Sequence, residues 1–487
     1  MSRFFSRMRS KMSEHPSADS LDILEQQPPH QQLLQRLESF PTLSEPGDAL
    51  QFVQLPPETV LVASVCWNPN FRPNSIFVPV TASADAPEVT GLYEVPLRRN
   101  DGDAAREDRG AQGYRPRGDP AALSEACPVS DRTDAPPPLL KARKVCSLPP
   151  EGYYYGSKIT SAGTCYLCCA NRSLILKVEL GPDAGSGGNA RREASVFTFL
   201  NQASNVQPSD VAIDERSGVL YVACYEKAYN ALTAEGEVLN TLRTHAQKKG
   251  LVYRIPLATR IPQLFADRLS QVAGCNICYD DDALWVSELT NLVRIPLHPT
   301  DATPTSQWTR VAPFDPTLLA HNISIDQAGR RILFPYFRRV NVATSIVLQH
   351  SGIAWFLLGL FGMAYTFVMS KLEPIIMLQR LRFLFCGCLR RSRQEAEAEE
   401  AITSLTAKIE EGAQGVFTSV DGRGAFSVVC FGMYSYKTGS MQSLRVEHEH
   451  WQNGHCMHVE KAGRYLVFIN YDKRELMVVE AEGALSP

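Results

Sequence analysis

The sequence predicts an all-β fold, a β-propeller, and two observations carry this prediction. Three segments end almost identically, with LYEVPL at residues 92–97, VYRIPL at 252–257 and LVRIPL at 292–297. Upstream of these endings, apolar residues stand at every second position and are interrupted by a turn rich in Asp and Gly. Alternation broken by a tight turn is typical of a β-hairpin, and a repeated hairpin with an outer strand is typical of a propeller blade.

The hairpin pattern recurs along most of the chain, and its best copies start at Ser209, Cys275, His321 and His455. We count seven blades, with six as the alternative because the sixth copy matches the pattern least well. The predicted blade cores are Leu61–Leu97, Lys158–Leu180, Asp210–Leu257, Asn276–Leu297, Asn322–Leu348, Phe417–Val446 and Cys456–Ala481. Short strands would also suit a β-sandwich, but the recurring blade ending favours a propeller.

The composition limits the classes of partner. The chain has 487 residues, a formal net charge of -3 and 44% hydrophobic residues, so it resembles an ordinary globular protein and gives no reason to expect nucleic acid. Its 13 cysteines follow no regular framework and mostly fall in strand patterns, which predicts buried free thiols. The composition of residues 1–48 predicts a disordered tail that is first basic and then polar. Its first residues also resemble a mitochondrial presequence.

The repeat resembles that of the NHL and gluconolactonase (strictosidine-synthase-like) β-propeller superfamily over roughly residues 55–481. In gluconolactonase-like propellers, carboxylates and amides at the starts of the innermost strands hold a divalent cation. The resemblance therefore implies an axial polar ring, which here would comprise Glu58, Asp210, Asn276, Asn322 and His455. The competing interpretation is a water-filled channel lined by polar residues, which we favour because Ile277 and Ile323 depart from the family pattern. We expect no cofactor, with calcium as the alternative.

The predicted propeller occupies residues 49–348 and 413–487, with a disordered loop at 98–138 and a helical insertion at 349–412. The insertion contains Ser351–Met369, a stretch without a charged residue, and roughly 20 apolar residues in a helix span a bilayer. We expect a membrane helix near residues 343–372, ended by Pro374. The anchoring residues would be Trp355, Phe356, Leu357, Leu358, Leu360, Phe361, Tyr365 and Phe367.

The segment after Pro374 mixes apolar residues with arginines, as in a helix that lies among lipid headgroups. The predicted basic residues at the membrane edge are Arg380, Arg382, Arg390 and Arg391. Cys386 and Cys388 beside them are candidate lipidation sites, the alternative being two ordinary thiols. Basic residues flank the apolar stretch on both sides, so charge does not choose between a single-pass helix and a monotopic hairpin.

The sequence favours a membrane-anchored β-propeller that acts as a protein-interaction scaffold, with membrane lipid and a protein as partners. The alternative is a calcium-dependent hydrolase or lactonase of the gluconolactonase type with an axial metal site. No nucleophile elbow, phosphate loop or zinc-protease motif appears, so the sequence does not decide whether the protein is an enzyme. We expect a membrane location, for which a mitochondrion and the endomembrane system are both open.

Overall fold

The computed structural model describes residues 51–97, 139–181, 193–200, 206–226, 243–298, 308–313, 318–339, 350, 352–353, 356, 360, 429–446 and 455–481. Within these ranges the chain forms twenty-six strands, two single-turn 3-10 helices at Pro87–Val89 and Ala170–Arg172, and a helical turn at 243–247, and residues 352–353, 356 and 360 are also helical. The strands are β1 (Gln51–Gln54), β2 (Thr59–Leu61), β3 (Ser75–Ala82), β4 (Gly91–Pro96), β5 (Leu139–Lys141), β6 (Arg143–Ser147), β7 (Tyr154–Ile159), β8 (Thr164–Cys169), β9 (Leu174–Glu179), β10 (Ser195–Phe199), β11 (Val206–Asp214), β12 (Val219–Glu226), β13 (Gly250–Pro256), β14 (Gln263–Leu269), β15 (Val272–Cys278), β16 (Ala283–Glu288), β17 (Asn291–Pro296), β18 (Thr309–Pro313), β19 (Leu318–Ala320), β20 (Ser324–Asp326), β21 (Arg331–Arg339), β22 (Val429–Ser435), β23 (Met441–Val446), β24 (Cys456–Ala462), β25 (Tyr465–Asn470) and β26 (Glu475–Glu480).

These strands form six sheets, which we number as blades one to six of a β-propeller. The strands of each blade are given in order from the innermost to the outermost. The orders are β2-β3-β4-β6, β7-β8-β9-β10, β11-β12-β13-β14, β15-β16-β17-β18, β19/β20-β21-β22-β23 and β24-β25-β26-β1, the last extended by β5. The all-β propeller is therefore confirmed.

The chain closes its ring by pairing its two ends. Strand β1 runs antiparallel to β26, with Phe52 opposite Met477, and so supplies the fourth strand of the last blade. Val53 on β1 is only 1% exposed and packs in the cluster between blades one and six. This pairing covers the outer edge of β26, which would otherwise lack a partner strand.

The predicted number of seven blades is not what the described residues show, because two predicted cores belong to one sheet. The cores Asn322–Leu348 and Phe417–Val446 contribute β20–β21 and β22–β23 respectively, and β21 pairs antiparallel with β22. The long stretch between β21 and β22 separates two strands that would otherwise form a recognisable hairpin pattern in the sequence. Each half of this blade resembles an independent hairpin copy in the sequence, which explains the count.

The insertion, residues 340–428 as the strands delimit it, therefore interrupts a single blade. The paired strands on either side of it hold their register from Arg331 opposite Ser435 to Pro335 opposite Phe431. Phe431 lies in contact with Phe468 of blade six, with ring centroids 5.4 Å apart. Tyr434 lies against Trp285 of blade four at 5.6 Å. The strand that follows the insertion is thus packed between both neighbouring blades.

Most of the predicted helical segment, like the predicted disordered loop at 98–138, lies outside the described residues. Where the structure describes the chain, no helix is both long and apolar enough to cross a bilayer. The membrane helix near residues 343–372 accordingly stays a prediction.

The six blades share one orientation, which gives the ring two different faces. The first four strands of each blade pair antiparallel, and the ends of all six innermost strands, with the turns that follow them, lie around one cavity; we call this side of the ring the turn face. The insertion follows β21, the second strand of blade five, and therefore leaves from the opposite side, which we call the insertion face. Since β22 is antiparallel to β21, the chain also returns at the insertion face.

The shared Pro-Leu ending has a structural cause. It closes the third strand of blades one, three and four, where proline has no N–H with which to continue the ladder. The leucine that follows donates its N–H to the turn after the first strand, as Leu97 does to Asn74 O at 2.7 Å and Leu257 to Gly218 O at 2.9 Å. The motif therefore fastens each third strand to the turn face.

The core consists of apolar layers between blades. The ten described cysteines are free and buried, as the strand pattern predicts. Cys66 and Cys165, from blades one and two, bring their Sγ atoms within 3.9 Å of each other.

Candidate functional site: a cavity on the turn face

A cavity of about 830 Å³ opens on the turn face at the propeller axis. All six blades contribute to its lining. Its floor contains three polar side chains, Lys158, Asn276 and Glu460, and four isoleucines from blades two to five surround that floor, namely Ile159, Ile213, Ile277 and Ile325.

Glu215 fixes the turns at the rim of the cavity. Its Oε1 accepts hydrogen bonds from Asn68 Nδ2 at 3.1 Å and from the Ser161 N–H at 3.0 Å, and its Oε2 accepts from the Ser161 hydroxyl. Arg216 next to it stacks over the Tyr279 ring at 4.0 Å. These contacts join blades one to four, so this side of the cavity is preformed.

Glu460 is the centre of the hydrogen-bonded floor. Its Oε2 lies 3.5 Å from Lys158 Nζ and 3.1 Å from His458 Nε2, and its Oε1 accepts from Ser324 Oγ at 3.4 Å. The side chains of Lys158 and Glu460 are 10% and 7% exposed. Blades two, five and six therefore meet in one charged cluster near the axis.

The network also determines which ring nitrogen of His458 carries the proton. Asn322 Nδ2 is a donor and lies 3.0 Å from His458 Nδ1, which must then accept. The proton is therefore on Nε2, which donates to Glu460. Burial lowers the pKa of His458, so the ring is neutral in this arrangement.

Burial and charge oppose each other in the cluster. Burial alone would lower the pKa of Lys158, but Glu460 and Asp210 outweigh it and raise the pKa. Burial alone would raise the pKa of Glu460, but Lys158 and His458 outweigh it and lower the pKa. The pair is therefore an ammonium and a carboxylate at neutral pH.

Asp210 behaves differently from Glu460. Burial raises its pKa from 3.8 to about 7, against the opposing effects of Lys158 and of the N–H groups of Cys275 and Val211. Its Oδ2 accepts from the Cys275 N–H at 2.9 Å, which links blades three and four. The Asp210 carboxyl thus changes charge near neutral pH.

Two glycines allow the innermost strands to approach each other at this depth. A Cβ on Gly156 would lie 2.4 Å from Asp210 Cα, and a Cβ on Gly274 would lie 2.6 Å from Asn322 Cα. Any larger residue would push the neighbouring strand away, so these positions require glycine.

The five residues of the implied axial ring do not lie together. Asp210 and Asn322 belong to the buried layer beside the charged cluster, whereas Asn276 lies on the cavity floor. His455 directly precedes β24, at the end of the strand away from Glu460, and its Nδ1 lies 2.7 Å from Asp472 Oδ2. Glu58 is exposed in the turn between β1 and β2.

The arrangement does not resemble a divalent-cation site. The structure brings together no group of three or more His, Cys, Asp or Glu side chains suited to a metal in the described ranges. The Lys158 ammonium lies beside the carboxylates of the axis and would repel a second cation there. Calcium binding stays a prediction.

Sequence reasoning missed four of the clustered residues: Lys158, Ser324, His458 and Glu460. A signal was present, because His458 and Glu460 stand two apart on one strand and so share a face, and Lys158 interrupts a strand of small and apolar residues. Of the predicted anchor residues, Phe356 and Leu360 are described and exposed. The other anchor residues, the four membrane-edge arginines and both candidate lipidation cysteines lie outside the described residues.

Comparisons with known proteins give structural likenesses of low sequence identity. No protein-family model matches the chain, and no curated protein matches its sequence. Virginiamycin B lyase from Staphylococcus aureus aligns over 88% of this chain and 98% of its own, with 11% identity and a TM-score of 0.39. A nidogen–laminin complex aligns over 70% of this chain and 81% of its own, with 7% identity and a TM-score of 0.38. A luciferin-regenerating enzyme aligns over 58% of this chain and 71% of its own, with 10% identity and a TM-score of 0.34. Likenesses this weak carry no functional argument, so the propeller assignment depends on the six sheets, and membership of the NHL or gluconolactonase family stays a prediction.

Proposed function

We propose that this protein is a β-propeller interaction scaffold, anchored to a membrane by its insertion and presenting its cavity to the aqueous phase. The observation that carries the proposal is the pairing of β21 with β22 across the insertion. It brings both ends of an 89-residue segment, residues 340–428, to one edge of one blade. A long excursion that starts and ends at one place is suited to anchoring a folded ring.

Exposed apolar residues support a lipid-facing role for the insertion. Ile353, Phe356 and Leu360 are helical, and they are 62%, 63% and 42% exposed. Residues separated by three and seven positions share one face of a helix. A helical face of this kind favours contact with lipid over contact with water.

The pairing also favours one topology. A single membrane crossing would place β21 and β22 in different compartments, although these strands share a hydrogen-bonded ladder. We therefore infer that the insertion enters the membrane and returns on the same side, as a monotopic hairpin does. Because it leaves from the insertion face, the cavity on the turn face points away from the membrane.

A scaffold fits the axial chemistry better than a calcium-dependent hydrolase does. Both oxygens of Glu460 are already hydrogen-bonded, and Lys158 supplies the positive charge that a metal ion would otherwise bring. No observation favours the hydrolase in particular, so we do not propose it.

The experiment compares two tags in sealed membrane vesicles. One tag is placed in the 98–138 loop and the other at the C-terminus, and both are exposed to protease before and after the vesicles are opened. We expect alkaline carbonate to leave the protein in the membrane pellet, and we expect the tags to be cut together or protected together. Release by carbonate would contradict the anchor, and opposite behaviour of the tags would contradict the hairpin topology.

A further inference from the structure

We infer that the cavity on the turn face is a binding site for an uncharged ligand that carries a carbonyl group on a branched aliphatic body. This inference depends on the cavity alone and goes beyond the anchoring proposed above. Its volume of about 830 Å³ lies within the range of small-ligand pockets and would hold a few residues of peptide, not a folded domain.

Lys158 and Asn276 both keep unused hydrogen-bond donors on the floor of the cavity. An ammonium has three N–H donors, and Glu460 Oε2 at 3.5 Å is the acceptor that the described residues give Lys158. Asn276 Oδ1 accepts from the Ile277 N–H at 2.9 Å, which fixes the amide so that its NH₂ group is the remaining half. The described chain provides no acceptor for that NH₂ group, and both side chains line the cavity. A ligand that satisfies these donors must bring an acceptor oxygen.

The charges of the floor favour a neutral acceptor. Lys158 and Glu460 already neutralise each other, so a ligand carboxylate would meet the negative charge of Glu460. A ligand ammonium would meet the positive charge of Lys158. An amide carbonyl carries the acceptor oxygen without either penalty.

The isoleucines select the body of the ligand. Ile159, Ile213, Ile277 and Ile325 form an apolar collar between the polar floor and the turns. A branched aliphatic group next to the carbonyl would fill this collar and exclude water from the hydrogen bonds below it.

The test uses four related probes that differ in charge or in the aliphatic group, with the full chain in detergent micelles, and measures binding by calorimetry. N-acetyl-leucine amide is neutral, N-acetyl-leucine is anionic, leucine amide is cationic, and N-acetyl-glycine amide lacks the aliphatic body. We expect the neutral leucine probe to bind about tenfold more tightly than each of the others. Equal or tighter binding of a charged probe would overturn the inference, as would no binding of the neutral leucine probe.

Two matched variants locate the site. Asn276→Asp keeps the acceptor for the Ile277 N–H and removes the amide donors, so it should weaken the neutral probe about tenfold. Asn171→Asp makes the same change at an exposed position away from the cavity, where Oδ1 also accepts from a backbone N–H at 2.9 Å, and should leave binding unchanged. Equal effects of the two variants would overturn the assignment. An acetylated and amidated trileucine distinguishes two sources of the ligand, a peptide segment and a small amide. If the trileucine binds more tightly than N-acetyl-leucine amide, the ligand is a peptide segment; if the two bind equally, it is a small amide.

The outcome is independent of the anchor. Micelles replace the membrane in every arm, so a failure of the carbonate or protease experiment would leave the binding result standing, and the reverse also holds.

Discussion

Lys158 Nζ on β7 lies 3.5 Å from Glu460 Oε2 on β24, and 302 residues separate the two in the sequence. The contact joins blade two to blade six near the axis, with blade one between them at the rim of the ring. It can form only when the chain has completed its circuit. The pair therefore reports on closure of the whole propeller as well as on local chemistry.

Removing one partner of this pair should be costly. Lys158→Met leaves the buried Glu460 carboxylate without its ammonium, so we expect the free energy of unfolding to fall by about 3–5 kcal/mol. The double variant Lys158→Met/Glu460→Gln removes both charges and should recover part of that loss. Urea unfolding of the wild type, both single variants and the double variant gives the coupling energy.

An exposed pair provides the control for this cycle. Arg172 and Glu151 form an ion pair with side chains 43% and 75% exposed, and Arg172→Ala should cost less than about 1 kcal/mol. A loss at Lys158 no larger than that at Arg172 would show that the axial pair contributes no more than a surface contact.

Asp210 should make stability depend on pH in an unusual direction. Its pKa is raised from 3.8 to about 7, so the folded state binds the proton more tightly than the unfolded state does. The stabilisation from Asp210 is therefore complete below about pH 4 and is lost as pH rises through 7, by roughly 4 kcal/mol at most. Asp210→Asn removes this titration, so the wild type should lose stability relative to the variant over that window in urea unfolding at several pH values.

Glu94 supplies a control of opposite sign. Burial alone would raise its pKa, but Arg143 and Arg72 outweigh it and lower the pKa below its ordinary 4.5. Its stabilisation is present above that value and is lost as pH falls, so the difference between the wild type and Glu94→Gln should shrink in acid. If Asp210→Asn followed the Glu94→Gln curve, the Asp210 carboxyl would be ionised in the folded state at neutral pH, contrary to the expectation.

The strands could be predicted from the sequence because their signal is local. LYEVPL, VYRIPL and LVRIPL fall on β4, β13 and β17, each the third strand of its blade. Their common ending reflects a bond to the turn face that each blade repeats within itself. Such a bond needs nothing from other blades, and so the sequence pattern alone reveals it.

The blade count and the axial cluster could not be predicted in the same way. The pairing of β21 with β22 spans the insertion, and the sequence of neither strand identifies the strand with which it pairs. Alternation shows that His458 and Glu460 share a face, but not that this face meets Lys158. Convergence at the axis depends on how six blades pack together, and that information is not local.

Closure predicts a sharp boundary for N-terminal truncation. Deleting residues 1–48 leaves β1 in place, so we expect thermal and urea unfolding to remain unchanged. Deleting residues 1–55 removes β1 together with Val53 and Leu55, which are 1% and 8% exposed. Loss of two buried aliphatic side chains costs roughly 3–6 kcal/mol, and the outer edge of β26 becomes unpaired. Equal stability of the two truncations would show that β1 does not close the ring.

The insertion should be separable from the propeller. The ladder between β21 and β22 reaches Pro335 opposite Phe431, and Phe431 and Tyr434 pack on the two neighbouring blades. Replacing residues 340–428 with a short Gly-rich turn converts the long connection into an ordinary hairpin, which lowers the cost of loop closure. We expect a folded protein whose unfolding transition lies at or above that of the full chain, and which carbonate no longer leaves in the membrane pellet. Circular dichroism and extraction of both proteins make the comparison, and a folded deletion variant that stayed in the pellet would place the anchor elsewhere in the chain.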